Sequence, residues 1–508
     1  MILKERNFLV LMQKKINWSF MCFGLILLIS LIRVAGNYFN AMPLFYDEAQ
    51  YWDWAQNLAF GYYSKPPFVA FGIAISTAIF GDAEWAVRLP SVVLHAANAL
   101  IIFALARRFF SAQIAFFSAL TYALFPAVSL SSGLASTDPW LIFFWLICWY
   151  AFVRAVFEPE KLFWWAIVGV AAGCGMLSKY SMILLLPAML MFLLSRNKIK
   201  KIWRFPGVWL ALSLALLAFL PNVIWNIQND FVSVLHAKDN ADAGQELKLR
   251  PEKALEFLSA QIGMGGPFLF VLLPILFWRG VKNWREISAI WFFPVVPILA
   301  LILTISLLSR AHGNWAAPIY ATLCIGFSAW ALSFRAGKFI LAASLMLNVF
   351  AAFMLLVGDP LLLKNGWVFS AKKTILAEKQ LRDPYLRVRF VPELIEKIVA
   401  LQQAEYKDLP ILVDERKYAA WLRYYAKQLP VYKLQAKDFP GDHYDLLHGA
   451  RETDYRNWLF VTPHENPTWV LGRFSRFEQV AVIEQKQHFD GVQRLYVYYV
   501  EHSFRADK

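Results

Sequence analysis

The chain has 508 residues, of which 59% are hydrophobic and 17% charged, and its formal net charge is +14. That composition excludes a disordered, collagenous or disulfide-rich secreted protein and leaves a polytopic α-helical membrane protein. In a soluble protein so positive a charge would invite nucleic acid, so the placement of the Lys and Arg residues decides between the two.

A bilayer core of about 30 Å needs roughly 20 apolar residues in helix. Such stretches predict about eleven spans, at 18–36, 84–106, 109–128, 139–157, 162–178, 180–195, 205–224, 257–278, 287–308, 315–334 and 337–357, and up to thirteen if weaker runs also cross. The first carries a basic flank but no A-x-A site after it, so it reads as an uncleaved span. All four cysteines, Cys22, Cys148, Cys174 and Cys324, fall inside these spans, and none is available for an exposed disulfide framework.

After the first span comes Tyr46-Asp47-Glu48-Ala49-Gln50-Tyr51-Trp52-Asp53-Trp54, where acids alternate with aromatic residues. It predicts an amphipathic helix along the outer leaflet, with Asp47 and Tyr51 on one face. Acids in its first turn also suit the positive end of a helix dipole. Gly61-Tyr62-Tyr63-Ser64-Lys65-Pro66-Pro67 then returns a lysine to the membrane surface. The apolar run from Pro66 to Phe80 is short and opens on two prolines, which predicts a re-entrant or interfacial segment.

Asp138, followed by Pro139, suits a helix cap as well as an acid in the second outer loop. Lys179 occupies a tight turn between two spans, placed either to neutralise an anionic head group or to anchor in phospholipid. His236 falls in the outer loop 222–256, and Arg310 and Tyr320 in or beside the last one.

Arg107, Arg108, Arg196, Lys198, Lys200, Lys201 and Arg204 share the opposite side, as the positive-inside rule requires of cytoplasmic loops. The N-terminus is therefore expected in the cytoplasm, residues 1–357 in the membrane, and residues 358–508 outside. The excess charge is then an orientation signal and no nucleic-acid partner is expected. Helical patterns at Pro392–Glu405 and Arg416–Lys427 alternate with strand-like runs at Ile411–Val413, Trp458–Thr462, Gln479–Ile483 and Leu495–Val500, which predicts a soluble α/β or α+β domain.

Carboxylates and cations gathered at the outer face suit transfer of a group from a lipid phosphate to a hydroxyl. No Walker A loop, Rossmann fingerprint, HExxH or zinc-type cysteine spacing occurs, which disfavours an ATP-driven pump and a nucleotide-sugar enzyme. A transporter or flippase is an alternative, although such proteins place their charges at mid-membrane. A ligase of the O-antigen type is another.

Asp47-Glu48 with Tyr51, the Gly61–Pro67 return, Gly175-Met176-Leu177-Ser178-Lys179 and Asn314-Trp315-Ala316-Ala317-Pro318-x-Tyr320 together resemble the GT-C glycosyltransferases of the bacterial lipid A aminoarabinose transferase and galacturonosyltransferase group. That group is related to the protein O-mannosyltransferases (glycosyltransferase families 83 and 39). The resemblance covers about residues 18–357. It implies an inner-membrane enzyme, a polyprenyl-phosphate sugar donor, inversion at the anomeric carbon, and an outer-leaflet acceptor such as lipid A, lipopolysaccharide or another envelope glycan. A protein acceptor, as in the mannosyltransferases, is the alternative. It further implies Asp47 as general base with Glu48 as partner, Asp138 as a further catalytic acid, and Lys65 and Lys179 as phosphate-binding lysines. Tyr51, Tyr63, His236, Arg310 and Tyr320 complete the expected donor site. No obligatory cofactor is implied. A divalent metal is left open, because this chain has Ser64 where the aminoarabinose transferases carry an acid able to pair with His236.

Overall fold

The computed structural model describes residues 17–40, 42–197, 199–240, 249–309, 311–362, 388–435, 441–450, 456–487 and 491–501. Among these, seven helical stretches are long and apolar enough to cross a membrane: Trp18–Asn40, Glu84–Phe109, Asp138–Phe157, Pro206–Gln228, Ala289–Leu308, Gly313–Leu332 and Arg335–Leu355. A bent pair, Pro251–Gly265 and Pro267–Lys282, makes an eighth candidate.

This corrects the expectation of eleven spans. The run 257–278 is not one rod, because the two helices meet at 110° across Gly266. Gly266 adopts φ 84°, open to a residue without Cβ, and Pro267 then starts the second helix with no N–H to lose. The runs 109–128 and 162–178 yield helices of only 13 and 15 residues, Ala112–Leu124 and Leu162–Met176. A 15-residue helix is about 22 Å long, short of a bilayer core. The run 180–195 breaks into a 3₁₀ turn, Tyr180–Leu184, and a helix, Leu185–Ser195. The Pro66–Phe80 run forms a 13-residue helix, Phe68–Phe80.

The short Leu162–Met176 helix lies backbone to backbone against Pro206–Gln228. A Cβ on Gly169 would stand 2.4 Å from the Ala211 carbonyl oxygen, and one on Gly173 2.7 Å from that of Ala215. Glycines four apart permit the close approach on which helix packing in lipid depends.

Beyond residue 388 the chain forms a mixed sheet of six strands: β1 (Ile411–Val413), β2 (Val431–Leu434), β3 (Gly449–Ala450), β4 (Trp458–Thr462), β5 (Arg476–Gln487) and β6 (Gly491–Glu501). Their order is β3-β2-β1-β4-β6-β5. The first four run parallel, and β6 pairs antiparallel with both β4 and β5. β1 and β4 are buried along their whole length, as strands covered on both faces should be.

This domain packs directly on the membrane half. Its helix Arg416–Tyr425 lies on the helix Tyr46–Gln56, joined by Arg423 to Asp53 at 2.8 Å, Trp421 Nε1 donating to the Leu44 carbonyl at 3.0 Å, and Leu44 N–H donating to the Tyr425 hydroxyl at 2.8 Å. Lys427 adds an ion pair to Asp82 at 2.7 Å. Every residue from Glu48 to Ala55 is consequently buried, which corrects the expected helix lying on the leaflet. A segment this rich in acids and aromatics lacks the continuous apolar stripe that lipid demands, and the second domain supplies partners on its remaining sides.

Candidate active site

A cavity of about 1180 Å³ opens where one end of the helical bundle meets the second domain. Its floor is built from tight turns. Tyr62 stacks on Trp54 at 4.4 Å, its hydroxyl donates to the Trp54 carbonyl at 3.0 Å, and its N–H donates to the Lys65 carbonyl at 3.1 Å. The turn so closed presents Lys65 to the cavity, and the N–H of Phe68, donating to the Leu177 carbonyl at 3.2 Å, ties it to the turn that carries Lys179.

Lys65 has no hydrogen-bond or ion-pair partner among the described residues. Burial pushes its ammonium below the usual lysine range, and the charge of Lys179 adds to the effect. Lys179 is itself committed: its Nζ lies 2.6 Å from Asp138 Oδ1. Asn314 Nδ2 donates to the other Asp138 oxygen at 3.0 Å.

Asp47 keeps half its side chain exposed and pairs with Arg416 of the second domain at 3.1 Å. Arg416 also donates to Gln50 at 2.8 Å and sits 4.9 Å over the Tyr46 ring. Glu48, its neighbour, is filled instead. Arg88 Nε and Nη2 donate to it at 2.9 and 2.8 Å, the Ala135 N–H at 2.8 Å and the Phe45 N–H at 3.0 Å. Both members of the Arg88–Glu48 pair are almost wholly buried, at 2% and 3% exposure.

Tyr51 and His236 also line the cavity, and Tyr63 stands behind His236 with ring centroids 5.0 Å apart. Burial pushes the Tyr51 phenol up, so it remains a neutral donor. One expected residue is not brought in. Tyr320 is buried within the bundle, its hydroxyl donating to Gln261 Oε1 at 2.9 Å and its ring edge-on to Phe125. It belongs to a helix whose faces are nearly all covered, so this part of the motif serves packing. Arg310 lies outside the described residues. No three His, Cys, Asp or Glu side chains converge as metal ligands among the described residues.

The sequence reading passed over Asn314 as a site residue although its motif was in view. Lys417, Tyr418 and Trp421 carried no signal at all: they enter the cavity wall only because the second domain folds back on the first.

Residues 64–225, which include Lys65, Asp138 and Lys179, match the family described as Dolichyl-phosphate-mannose-protein mannosyltransferase. Lipid A galacturonosyltransferase RgtD of Rhizobium johnstonii is 33% identical over 350 residues, 66% of this chain and 71% of that protein. The chain belongs to this family of GT-C glycosyltransferases. It is thus a multi-pass membrane glycosyltransferase of the class that uses a polyprenyl-phosphate sugar. Undecaprenyl phosphate-alpha-4-amino-4-deoxy-L-arabinose arabinosyl transferase of Pseudomonas paraeruginosa is 30% identical over 231 residues, 41% of this chain and 40% of that relative. ArnT from Cupriavidus metallidurans, solved bound to undecaprenyl phosphate, has the same fold, with TM-score 0.63 at 15% identity over 96% of this chain and 98% of that one.

Proposed function

We propose that this glycosyltransferase moves a sugar from undecaprenyl phosphate to lipid A at the outer leaflet of the bacterial inner membrane, by a single inverting displacement. The observation that carries the reading is Lys65, a cation without a protein partner among the described residues, facing a large cavity that also holds a half-exposed carboxylate at Asp47. A lysine whose charge is disfavoured by burial gains most when an anion arrives, and a phosphate is that anion.

In the displacement the bond from the anomeric carbon to the phosphate oxygen breaks as the acceptor oxygen attacks from the other side. The phosphate leaves carrying the bonding pair. Lys65 neutralises that charge as it grows, with Lys179 held in place by Asp138 and Asn314. Asp47 takes the acceptor's proton, a contribution of about 10²- to 10⁴-fold. Glu48 acts by position: through Arg88, Ala135 and Phe45 it pins the helix carrying Asp47 to the loop leading to Asp138. Residues 358–508 and the cavity face the periplasm in this reading, with the N-terminus in the cytoplasm.

The full chain, reconstituted with lipid A and a set of undecaprenyl-phosphate sugars, should add one sugar to lipid A, seen as a mass increment, with its anomeric configuration inverted. Sugar appearing on protein while lipid A stays unmodified would overturn the acceptor; retained configuration would overturn the single displacement.

A further inference from the structure

A second crevice, about 470 Å³, opens at the carboxyl ends of the parallel strands of the soluble domain. β1 has β2 on one side and β4 on the other, so the chain leaves β1 toward β2 and later returns across it to β4. Where connections diverge in this way the strand ends leave a gap, and open α/β sheets bind ligands there. Asp414, the residue that follows β1, lies in that gap.

Its side chain is only 2% exposed. Oδ2 accepts from the Thr462 hydroxyl at the end of β4, at 2.7 Å, while Oδ1 is buried with no hydrogen-bond partner among the described residues. A buried carboxylate oxygen left empty is costly, and a donor arriving from outside removes the cost. Around it stand Glu415 and, half exposed, His464, whose Nε2 lies 3.9 Å from Asp414 and 3.8 Å from Glu415.

Among the described residues, the cations of the crevice are already occupied. Lys433 pairs with Asp445 at 2.7 Å and Asp442 at 3.2 Å, Lys417 with Glu415 at 2.7 Å, and Arg416 with Asp47 at 3.1 Å. Spare capacity is therefore for donors, which argues against phosphate. No three ligands converge here for a metal, among the described residues. Adjacent hydroxyls on a sugar ring are neutral donors that match one or two carboxylates. The crevice is also continuous with the active-site cavity, since Tyr46 and Lys417 line both.

We propose that this crevice is a subsite for sugar rings of the acceptor, holding glycan that extends away from the hydroxyl being modified. The inference rests on the reading that a glycolipid acceptor occupies the cavity. It assigns the soluble domain a part in choosing among acceptors that differ in attached sugars.

The test uses the full chain in nanodiscs with two acceptors, bare lipid A and lipid A that retains its inner-core sugars. Asp414→Asn and Glu415→Gln should each raise KM for the sugar-bearing acceptor about tenfold, the loss of roughly one hydrogen bond to a charged group. Transfer to bare lipid A should stay within twofold. Equal losses on both acceptors mean a structural role and overturn the proposal, as does no loss on either. If wild type modifies neither acceptor, the proposed function fails, and the crevice is judged separately by calorimetry with core oligosaccharide freed from lipopolysaccharide by mild acid. Heat of binding in wild type that Asp414→Asn abolishes upholds the subsite, and its absence in wild type overturns it.

Discussion

Replacing Lys65 separates charge from shape at the position that carries the functional reading. Lys65→Gln keeps length and hydrogen-bonding capacity but removes the charge, whereas Lys65→Arg keeps a charge that does not titrate in the working range. A hydrogen bond to a charged group is worth about 1.5–3 kcal/mol, or about 10- to 150-fold, and one lost only in the transition state about 10²–10³ in turnover. Lys65 is the lysine of the cavity floor with no protein partner among the described residues, since Lys179 is paired with Asp138, so the Gln variant should fall in the upper part of that range. The pH dependence follows from burial and Lys179, which lower the Lys65 pKa from its ordinary 10.5. Donor binding needs the ammonium, so kcat/KM for donor should fall as pH rises through that lowered value, before an ordinary lysine would lose its proton. An arriving phosphate raises the pKa again, so the fall should begin at lower pH at low donor than at saturation. The assay is donor-dependent transfer in nanodiscs between pH 7 and pH 10.5. Lys65→Gln should be slow throughout, and Lys65→Arg should lack the alkaline fall. A Gln variant within threefold of wild type, or an Arg variant that follows the wild-type alkaline fall, would refute the phosphate role.

Four other outcomes are expected. Arg88→Met strands the Glu48 carboxylate in a site almost closed to water and should cost about 3–5 kcal/mol, read as a lowered thermal midpoint, with the Glu48→Gln/Arg88→Met double variant more stable than the single. Asp138→Asn and Lys179→Met should be non-additive by roughly 1–3 kcal/mol in kcat/KM for donor, because each acts through the other; strict additivity would separate their roles. Arg423→Leu leaves Asp53 buried and uncompensated beneath the soluble domain, and should raise its susceptibility to limited proteolysis. Gly173→Leu drives a side chain into the Ala215 carbonyl and should reduce folded, monodisperse protein on extraction, whereas a substitution at Gly24, with nothing within 4 Å, should not.

Membrane character and four of the six strands were legible in the sequence because they depend on local quantities. Apolar length, charge asymmetry and strand-forming runs add up along the chain without reference to distant residues. The ends of β1 and β4 fall where the residue pattern puts them, and Lys65, Asp138 and Lys179 come together as their turns suggest. The two missed strands are β2, whose apolar run is interrupted by Lys433, and β3, which is only two residues long.

The number of spans and the surroundings of the acids were decided only in three dimensions. Hydropathy could not register the 110° turn at Gly266, since a hinge between two apolar helices leaves the sum unchanged. Nor could it tell Asp47 from Glu48. Adjacent in sequence, they point to different neighbours, one half open beside Arg416 and the other closed around Arg88. The bond from Arg416 to Gln50 spans 366 positions of sequence, a contact that local pattern cannot contain. The soluble domain therefore looked like an appendage until its helix was seen to roof the site. The sequence by itself determined which chemistry was available at one end of the bundle. Tertiary packing decided which carboxylate stays half exposed, which lysine of the cavity floor has no protein partner among the described residues, and that two domains build the cavity, because those outcomes depend on what each side chain meets across the fold.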